Sequence, residues 1–467
     1  LSMKKVISSI LVVCYILALV PAVMVAVSTK KGTTGDCTWT LTGTVLTISG
    51  NGKMGDYGGG RSVPWNDKID KITNVKIKDG VTSIGHGAFC DHKNLSSVTI
   101  PNSITSIGAE AFYRTPFLNN KGNWKDRILY IDDYLIQAQD TIRGTCTVKP
   151  GTKVIACSAF SNCEHLSEVI IPSSVISIGH LAFFYCTGLT KITIPDSVTS
   201  IGDRAFENCK SLVSVTIPNS VTSIGNEAFA YCENLNHITL PDCLTDIGWW
   251  AFSDTAYYND EKNWEKRCEG DVLYLGNYLI KADTMASTYT VKNGTKTIAS
   301  WAFRCCSELQ SITIPDSVTS IGDRAFQYCT NLSEIVVPNS ITHIGGQAFA
   351  FTAYANDGIN WDENILYLGS YLIEINYSDS DVYNIKNGTK VIADYAFYGC
   401  EKQSSITIPS SVIHIGIKND VITKQTHNID DYSQFIPLIA LVGLGVGAAV
   451  FLIIRKSVKK HKSDELR

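Results

Sequence analysis

Residues Ile194–Phe229 read IPDSVTSIGDRAFENCKSLVSVTIPNSVTSIGNEAF, which contains the pattern I-P-x-S-V-T-S-I-G-x-x-A-F twice, displaced by 23 residues. A fixed period of this length marks a stacked-repeat protein, in which each unit buries its apolar face only against its neighbours. No single globular core has to be assembled, so a chain of 467 residues is no obstacle. Function has to be sought on the surface of the stack.

The central Ile of the repeat recurs at 84, 107, 155, 178, 201, 224, 247, 298, 321, 344, 392 and 415, which predicts twelve turns. Gly follows it in nine turns, and Ala156, Ala299 and Ala393 replace it in the other three. Within one unit, L-x-x-V-x-I at Leu212–Ile217 points alternate residues inward, as a short strand does. Pro218 ends that strand because it has no N–H for a neighbouring ladder. Gly225 is expected to supply a tight corner. Ala228-Phe229 is expected on a short helical or 3-10 turn, with the Phe filling the layer. The fuller motif L-x-x-[IV]-x-[IL]-P-x-S-[VI]-x-x-I-G-x-x-A-F-x-x-C is nearly complete at Leu189–Cys209 and Leu309–Cys329. It resembles the BspA-like leucine-rich repeats of bacterial and some protist cell surfaces. That resemblance implies a β-rich leucine-rich-repeat solenoid used for adhesion or protein binding, with no family active site to carry over.

The flanks are read separately. Residues 1–28 carry Lys4 and Lys5 before an apolar run and small residues near Ala26–Ser28, as a cleavable export signal would. Residues 37–73 are assigned to an N-terminal cap: Cys37–Lys53 alternates around Thr42-Gly43 like a β-hairpin, and a Gly-rich loop follows at Tyr57–Trp65. The repeats occupy 74–417, and 418–434 form a juxtamembrane stalk. Phe435–Ile454 is apolar enough to cross a bilayer as a helix. The basic tail, 455–467, is expected to stay in the cytoplasm with the repeats outside. No LPxTG-like sorting motif precedes the helix, which favours retention in the membrane over attachment to a cell wall. The Gly443/Gly447 pair is a GxxxG that could dimerise helices. Removing the signal and tail charges from the net −4 leaves about −10 on Thr29–Gln434, an argument against nucleic acid or anionic lipid as the main ligand.

Three insertions, at about 116–142, 256–285 and 353–380, break the period. Each holds a Trp and then L-Y-[IL]-x-x-Y-L-I, and the pattern predicts a hairpin projecting from the repeat. As a candidate ligand-binding set these supply Trp124, Tyr130, Tyr134, Trp264, Tyr274, Tyr278, Trp361, Tyr367 and Tyr371. The competing reading is that they pack the hairpins onto the solenoid, as half-buried aromatics usually do.

Seven cysteines (163, 186, 209, 232, 306, 329 and 400) share one repeat phase, where 115, 255 and 352 carry Thr. This phase reads as a buried column of small hydrophobes. The off-phase cysteines 37, 90, 146, 157, 243, 268 and 305 are the candidates for disulfides in an oxidising exterior. His343 and His414 share a phase at different turns, without an acidic partner in register. No nucleophile elbow, HExxH, phosphate loop or EF-hand occurs. Thr193–Phe206 and Thr313–Phe326 are identical, as scaffold is and as a convergent catalytic site is not. Neither an enzyme nor a catalytic, metal or cofactor site is expected.

The sequence therefore favours an adhesive or protein-binding surface protein, its partner an extracellular protein or a matrix or host-surface ligand. The alternatives are a passive envelope spacer and a glycan-binding protein using the insertion aromatics. The binding positions are expected at the variable strand sites and at the three interruptions.

Overall fold

The computed structural model describes residues 29–58, 62–267, 270–284, 286–376, 382–398 and 405–416. The export-signal and bilayer-helix segments lie outside these residues, as do Cys14, Cys268 and Cys400. Among the described residues no helix is long and apolar enough to cross a membrane. The chain divides into two compact units, residues 1–123 and 124–467.

In the first unit, Thr29–Thr34, Cys37–Thr42 and Val45–Gly50 form an antiparallel meander, with Gly43 at φ +62° between the last two strands. Val45–Ile48 then pairs in parallel with Asn74–Ile77, and that strand with Ser97–Thr99. The cap thus changes an antiparallel edge into the parallel ladder that repeats require. Trp65 is completely buried and stacks on Phe89, and Phe89 on Phe112, at 6.0 and 5.6 Å.

In the second unit the repeats stack in strict register: Ile155, Ile178, Ile201, Ile224 and Ile247 pair in turn. All twelve central isoleucines of the chain lie in short strands of this kind. Phe160, Phe183, Phe206, Phe229 and Phe252 form a buried ring ladder spaced 5.0–5.6 Å, close to the roughly 4.8 Å between paired strands.

The Ala-Phe corner is not a helical or 3-10 turn. Ala228, Ala230 and Cys232 donate within the turn to Gly225, Glu227 and Phe229, whereas Glu227, Phe229 and Tyr231 donate to Trp249, Ala251 and Ser253 of the next turn. A helix would turn every N–H along its own axis, whereas here every second one bonds the stack together. The geometry requires left-handed residues at the third and seventh positions after the central Ile: Glu227 and Tyr231 have φ +53° and +57°, Arg324 and Tyr328 +53° and +63°. Gly225 also serves differently from the corner role expected. A Cβ there would meet Asp203 N at 2.4 Å and Gly202 C at 2.6 Å, so the glycine is needed for close approach of neighbouring turns. Ala156, Ala299 and Ala393 instead follow hairpin strands: their N–H groups donate to Leu135, Leu279 and Leu372.

The insertions do not project. Each begins with a short helix, Pro116–Asn119, Ala256–Asn259 or Ala353–Asn356, and continues into a short strand at Trp124, Trp264 or Trp361 that pairs with a hairpin of two-residue loop. The loops are Asp132-Asp133, Gly276-Asn277 and Gly369-Ser370, between closing pairs such as Leu275 and Tyr278. The second hairpin strand then heads the parallel ladder of the turns that follow, aligning Tyr134 with Val154, Tyr278 with Thr297 and Tyr371 with Val391, while the strands of Ile247 and Ile344 end the ladder before it. Leu275 and Tyr278 belong to the preceding core, and Val272, Leu279 and Ala282 to the following one. The second and third hairpins are internal layers, apolar on both faces.

Candidate functional site

The insertion aromatics are occupied by the scaffold. Tyr134, Tyr278 and Tyr371 are 1% exposed, and Tyr274 and Tyr367 are also buried. The Tyr278 and Tyr371 hydroxyls donate to the Pro241 and Pro338 carbonyls. A bulge before Tyr130, Tyr274 and Tyr367 aims each hydroxyl at a backbone N–H, from Lys149, Lys292 and Lys386 at 3.1, 3.2 and 2.9 Å. Trp124, Trp264 and Trp361 are half-buried. The last two donate Nε1–H to the Tyr258 and Ala355 carbonyls, both at 2.7 Å. These groups fix the hairpins in the stack, and the five buried tyrosines offer no face to an outside ligand.

Exposed aromatics lie elsewhere, on the Ala-Phe corner. The left-handed residues there turn their side chains outward, and Tyr185, Tyr231, Trp250, Tyr328 and Phe351 are 38–51% exposed. Around the second insertion they join into one ribbon. Trp249 stacks on Trp301 at 4.8 Å, and Trp250 meets Trp301 edge-on at 5.5 Å. The Arg304 guanidinium lies 4.3 Å from the Trp301 ring centroid and 5.6 Å from that of Tyr328, and Tyr328 stacks on Phe351 at 4.7 Å. The strand sites expected to bind carry mostly small groups such as Ser214, Thr216, Ser311 and Thr313.

Trp249 also borders a cleft of about 520 Å³, whose polar lining includes Asn226, Asp323, Arg324, Gln347 and Glu374. Tyr395 lines it too. Gly346 makes room for that ring: a Cβ at 346 would lie 2.7 Å from Tyr395 Cδ2.

A family profile described as "BspA type Leucine rich repeat region (6 copies)" matches residues 67–144, 153–260, 256–378 and 376–419. The chain belongs to the BspA-type leucine-rich-repeat proteins. No curated protein matches it. Solved structures similar to this BspA-type chain include a leucine-rich-repeat protein of T. pallidum (24% identity, 48% of this chain and 83% of that one, TM-score 0.27). A second is a leucine-rich cell surface protein of Faecalibacterium prausnitzii (25%, 83% and 95%, TM-score 0.23). A third is a leucine-rich-repeat protein of Bacteroides ovatus (18%, 86% and 96%, TM-score 0.27).

In this BspA-type chain the cysteine column has a bonding role as well as a packing one. Cys186, Cys209, Cys232 and Cys329 donate Sγ–H to the carbonyls of Phe160, Phe183, Phe206 and Phe303, one turn back, at 3.0–3.3 Å. Thr115, Thr255 and Thr352 at the same phase turn inward to their own Phe carbonyl and cap a short helix, accepting from Leu118, Tyr258 and Ala355 N–H. Exchanging Cys for Thr thus starts the exit into an insertion. Among the described residues no disulfide forms, the off-phase Cys37, Cys90, Cys146, Cys157, Cys243 and Cys305 included. Burial pushes the Cys146 and Cys163 thiols up to about 11 and 12, and Cys186, Cys209 and Cys329 upward as well. Alkylation of the folded protein, mapped by mass spectrometry, is therefore expected to label the exposed Cys305 first and the column only after denaturant is added. Equal labelling rates would contradict a sealed column.

His343 does have an acidic neighbour. Asp394 Oδ2 lies 3.8 Å from its Nε2, and the His343 and His414 rings meet at 5.7 Å. The contact arises because the turn of Ile392 reaches past the third hairpin to the turn of Ile344, Asp394 N–H donating to Ile344 O at 2.9 Å. Burial, and secondarily His414, pushes the His343 imidazole down to about 4. Asp246 has the same phase before the second hairpin, where burial, then Asp323 and Asp203, pushes its carboxyl up to about 7. Both groups are held toward their uncharged forms. Among the described residues no His, Cys, Asp and Glu cluster could hold a metal ion.

Proposed function

We propose that this BspA-type chain is an exported surface protein, held in the membrane by residues 435–454, whose repeats bind an extracellular protein partner without catalysing a reaction. The aromatic ribbon Trp250–Trp301–Arg304–Tyr328–Phe351 carries this reading. Exposed Trp250, Tyr328 and Phe351 are joined by half-buried Trp301 and Arg304; aromatic residues and Arg are the types that dominate protein interfaces, and a passive spacer has no use for them. The acidic exterior disfavours nucleic acid as the ligand.

The test displays the full chain on cells and measures attachment to immobilised matrix and host-surface proteins. Saturable attachment is expected, weakened roughly 30-fold by Trp250→Ala, Arg304→Ala or Phe351→Ala, the scale of a hot-spot loss. Lys191→Ala, on a strand site away from the ribbon, is expected to change little. Attachment to no protein, or attachment indifferent to all three ribbon substitutions, would sink the reading.

A further inference from the structure

The cleft beside Trp249 is chemically unlike the ribbon. Its volume of about 520 Å³ lies within the range of small-ligand sites, roughly 300–1,000 Å³. Its walls combine the rings of Trp249, Tyr395 and Tyr398 with planar polar groups on Asn226, Asp323, Arg324, Gln347, Glu374 and Asp394. Amide, carboxylate and guanidinium groups present paired donors or acceptors in one plane. That spacing suits adjacent hydroxyls on a sugar ring, whose C–H face in turn suits an aromatic surface.

The charges narrow the choice further. Three carboxylates, Asp323, Glu374 and Asp394, stand against the single guanidinium of Arg324, so a phosphate or acidic sugar is repelled. Arg324 Nε already donates to Gln347 Oε1 at 2.9 Å. Two of the carboxylates are engaged as well: Asp323 Oδ1 accepts from Gly346 N–H at 2.6 Å, and Asp394 faces His343. Carboxylates already held by protein groups suit directional hydrogen bonds to an uncharged polyhydroxyl ligand better than the ion pairs that a basic peptide requires.

We propose that this cleft binds a short neutral oligosaccharide, with Trp249 and Tyr395 against sugar faces and Gln347 and Glu374 among the groups that hold hydroxyls. Gly346 is the positioning residue, since any side chain there displaces Tyr395. The site differs from the insertion aromatics, which are occupied inside the stack.

The experiment presents the purified full chain to an array of neutral gluco-, manno- and galacto-oligosaccharides beside sialylated ones and lysine-rich peptides. Titration calorimetry follows with the strongest binder. At least one neutral oligosaccharide is expected to bind saturably, with at least a tenfold loss in Gln347→Ala and in Gly346→Val. Arg304→Ala and Phe351→Ala, on the ribbon, are expected to leave sugar binding unchanged while weakening protein attachment, so the two sites fail separately. Gln347 is exposed, so its substitution keeps the test interpretable if Gly346→Val does not fold. Silence of every neutral sugar, binding indifferent to Gln347→Ala, or a lysine-rich peptide competing at the cleft would each overturn the proposal.

Discussion

Phe206→Ala is expected to destabilise the second unit by about 3–5 kcal/mol, the usual cost of deleting a buried aromatic ring. Phe206 is completely buried and stacked between Phe183 and Phe229 at 5.1 and 5.0 Å. Its carbonyl also accepts the Cys232 thiol at 3.1 Å, and its N–H donates to Ala228 O. The missing ring leaves a gap that the turns above and below cannot close, because their backbones are fixed to each other by hydrogen bonds on both sides of the corner. Contacts in a stack are mostly between neighbours, so the damage should be concentrated there. Hydrogen exchange should accelerate over the turns of Ile178, Ile201 and Ile224 and much less at the turn of Ile321. Phe351→Ala, where the side chain is 51% exposed, should cost well under half as much in the same denaturant titration. Equal costs would mean that the ring ladder does not carry the stability of the stack.

The same nearest-neighbour logic explains what the sequence revealed and what it hid. The phases of Ile, Phe and Cys were legible because each residue contacts its counterpart one period away, and a fixed 23-residue spacing puts those counterparts side by side. The exits at Thr115, Thr255 and Thr352 were visible as a change of letter, but their meaning needed the helix that each caps. Contacts across an insertion were not legible. Trp249 meets Trp301, and His343 meets Asp394, only because the turn after a hairpin bonds back to the turn before it, Ser300 N–H to Ile247 O and Asp394 N–H to Ile344 O, and no residue count conveys that. The tryptophans of GWW at Gly248–Trp250 and of SW at Ser300–Trp301 were the signal for the ribbon. A helical turn does not turn such positions outward, whereas left-handed backbone at the third site after the central Ile brings Trp250 to the surface. The insertion tyrosines were conspicuous for the opposite reason: they repeat because the same apolar hairpin is built each time.

Acid is expected to unfold the first unit through His92. Its side chain is completely buried, and Trp65 Nε1–H donates to its Nε2 at 2.9 Å. That nitrogen must therefore be an acceptor, leaving Nδ1–H to donate to Cys90 O at 3.1 Å. Protonation would set two N–H groups against each other and bury a charge with only the more distant Asp70 and Asp91 carboxylates to oppose it. Burial is the dominant cause that pushes the imidazole down to about 4, against partial support from the Cys90 and Phe89 carbonyls. In the unfolded chain the group titrates near 6.5. Because the folded value is the lower one, the unfolded state takes up the proton first. The stabilisation is complete above about pH 6.5, and about 3 kcal/mol is lost as the pH falls to 4. Hydrogen exchange of Asn74–Ile77 and Val81–Ile84, followed from pH 7 to 4 after correction for intrinsic rates, reads this directly. His92→Gln keeps an acceptor for Trp65 without an ionisable group, so it should flatten the pH dependence even if it lowers stability at neutral pH. An unchanged acid transition in that variant would move the cause away from His92 and onto the carboxylates of the unit.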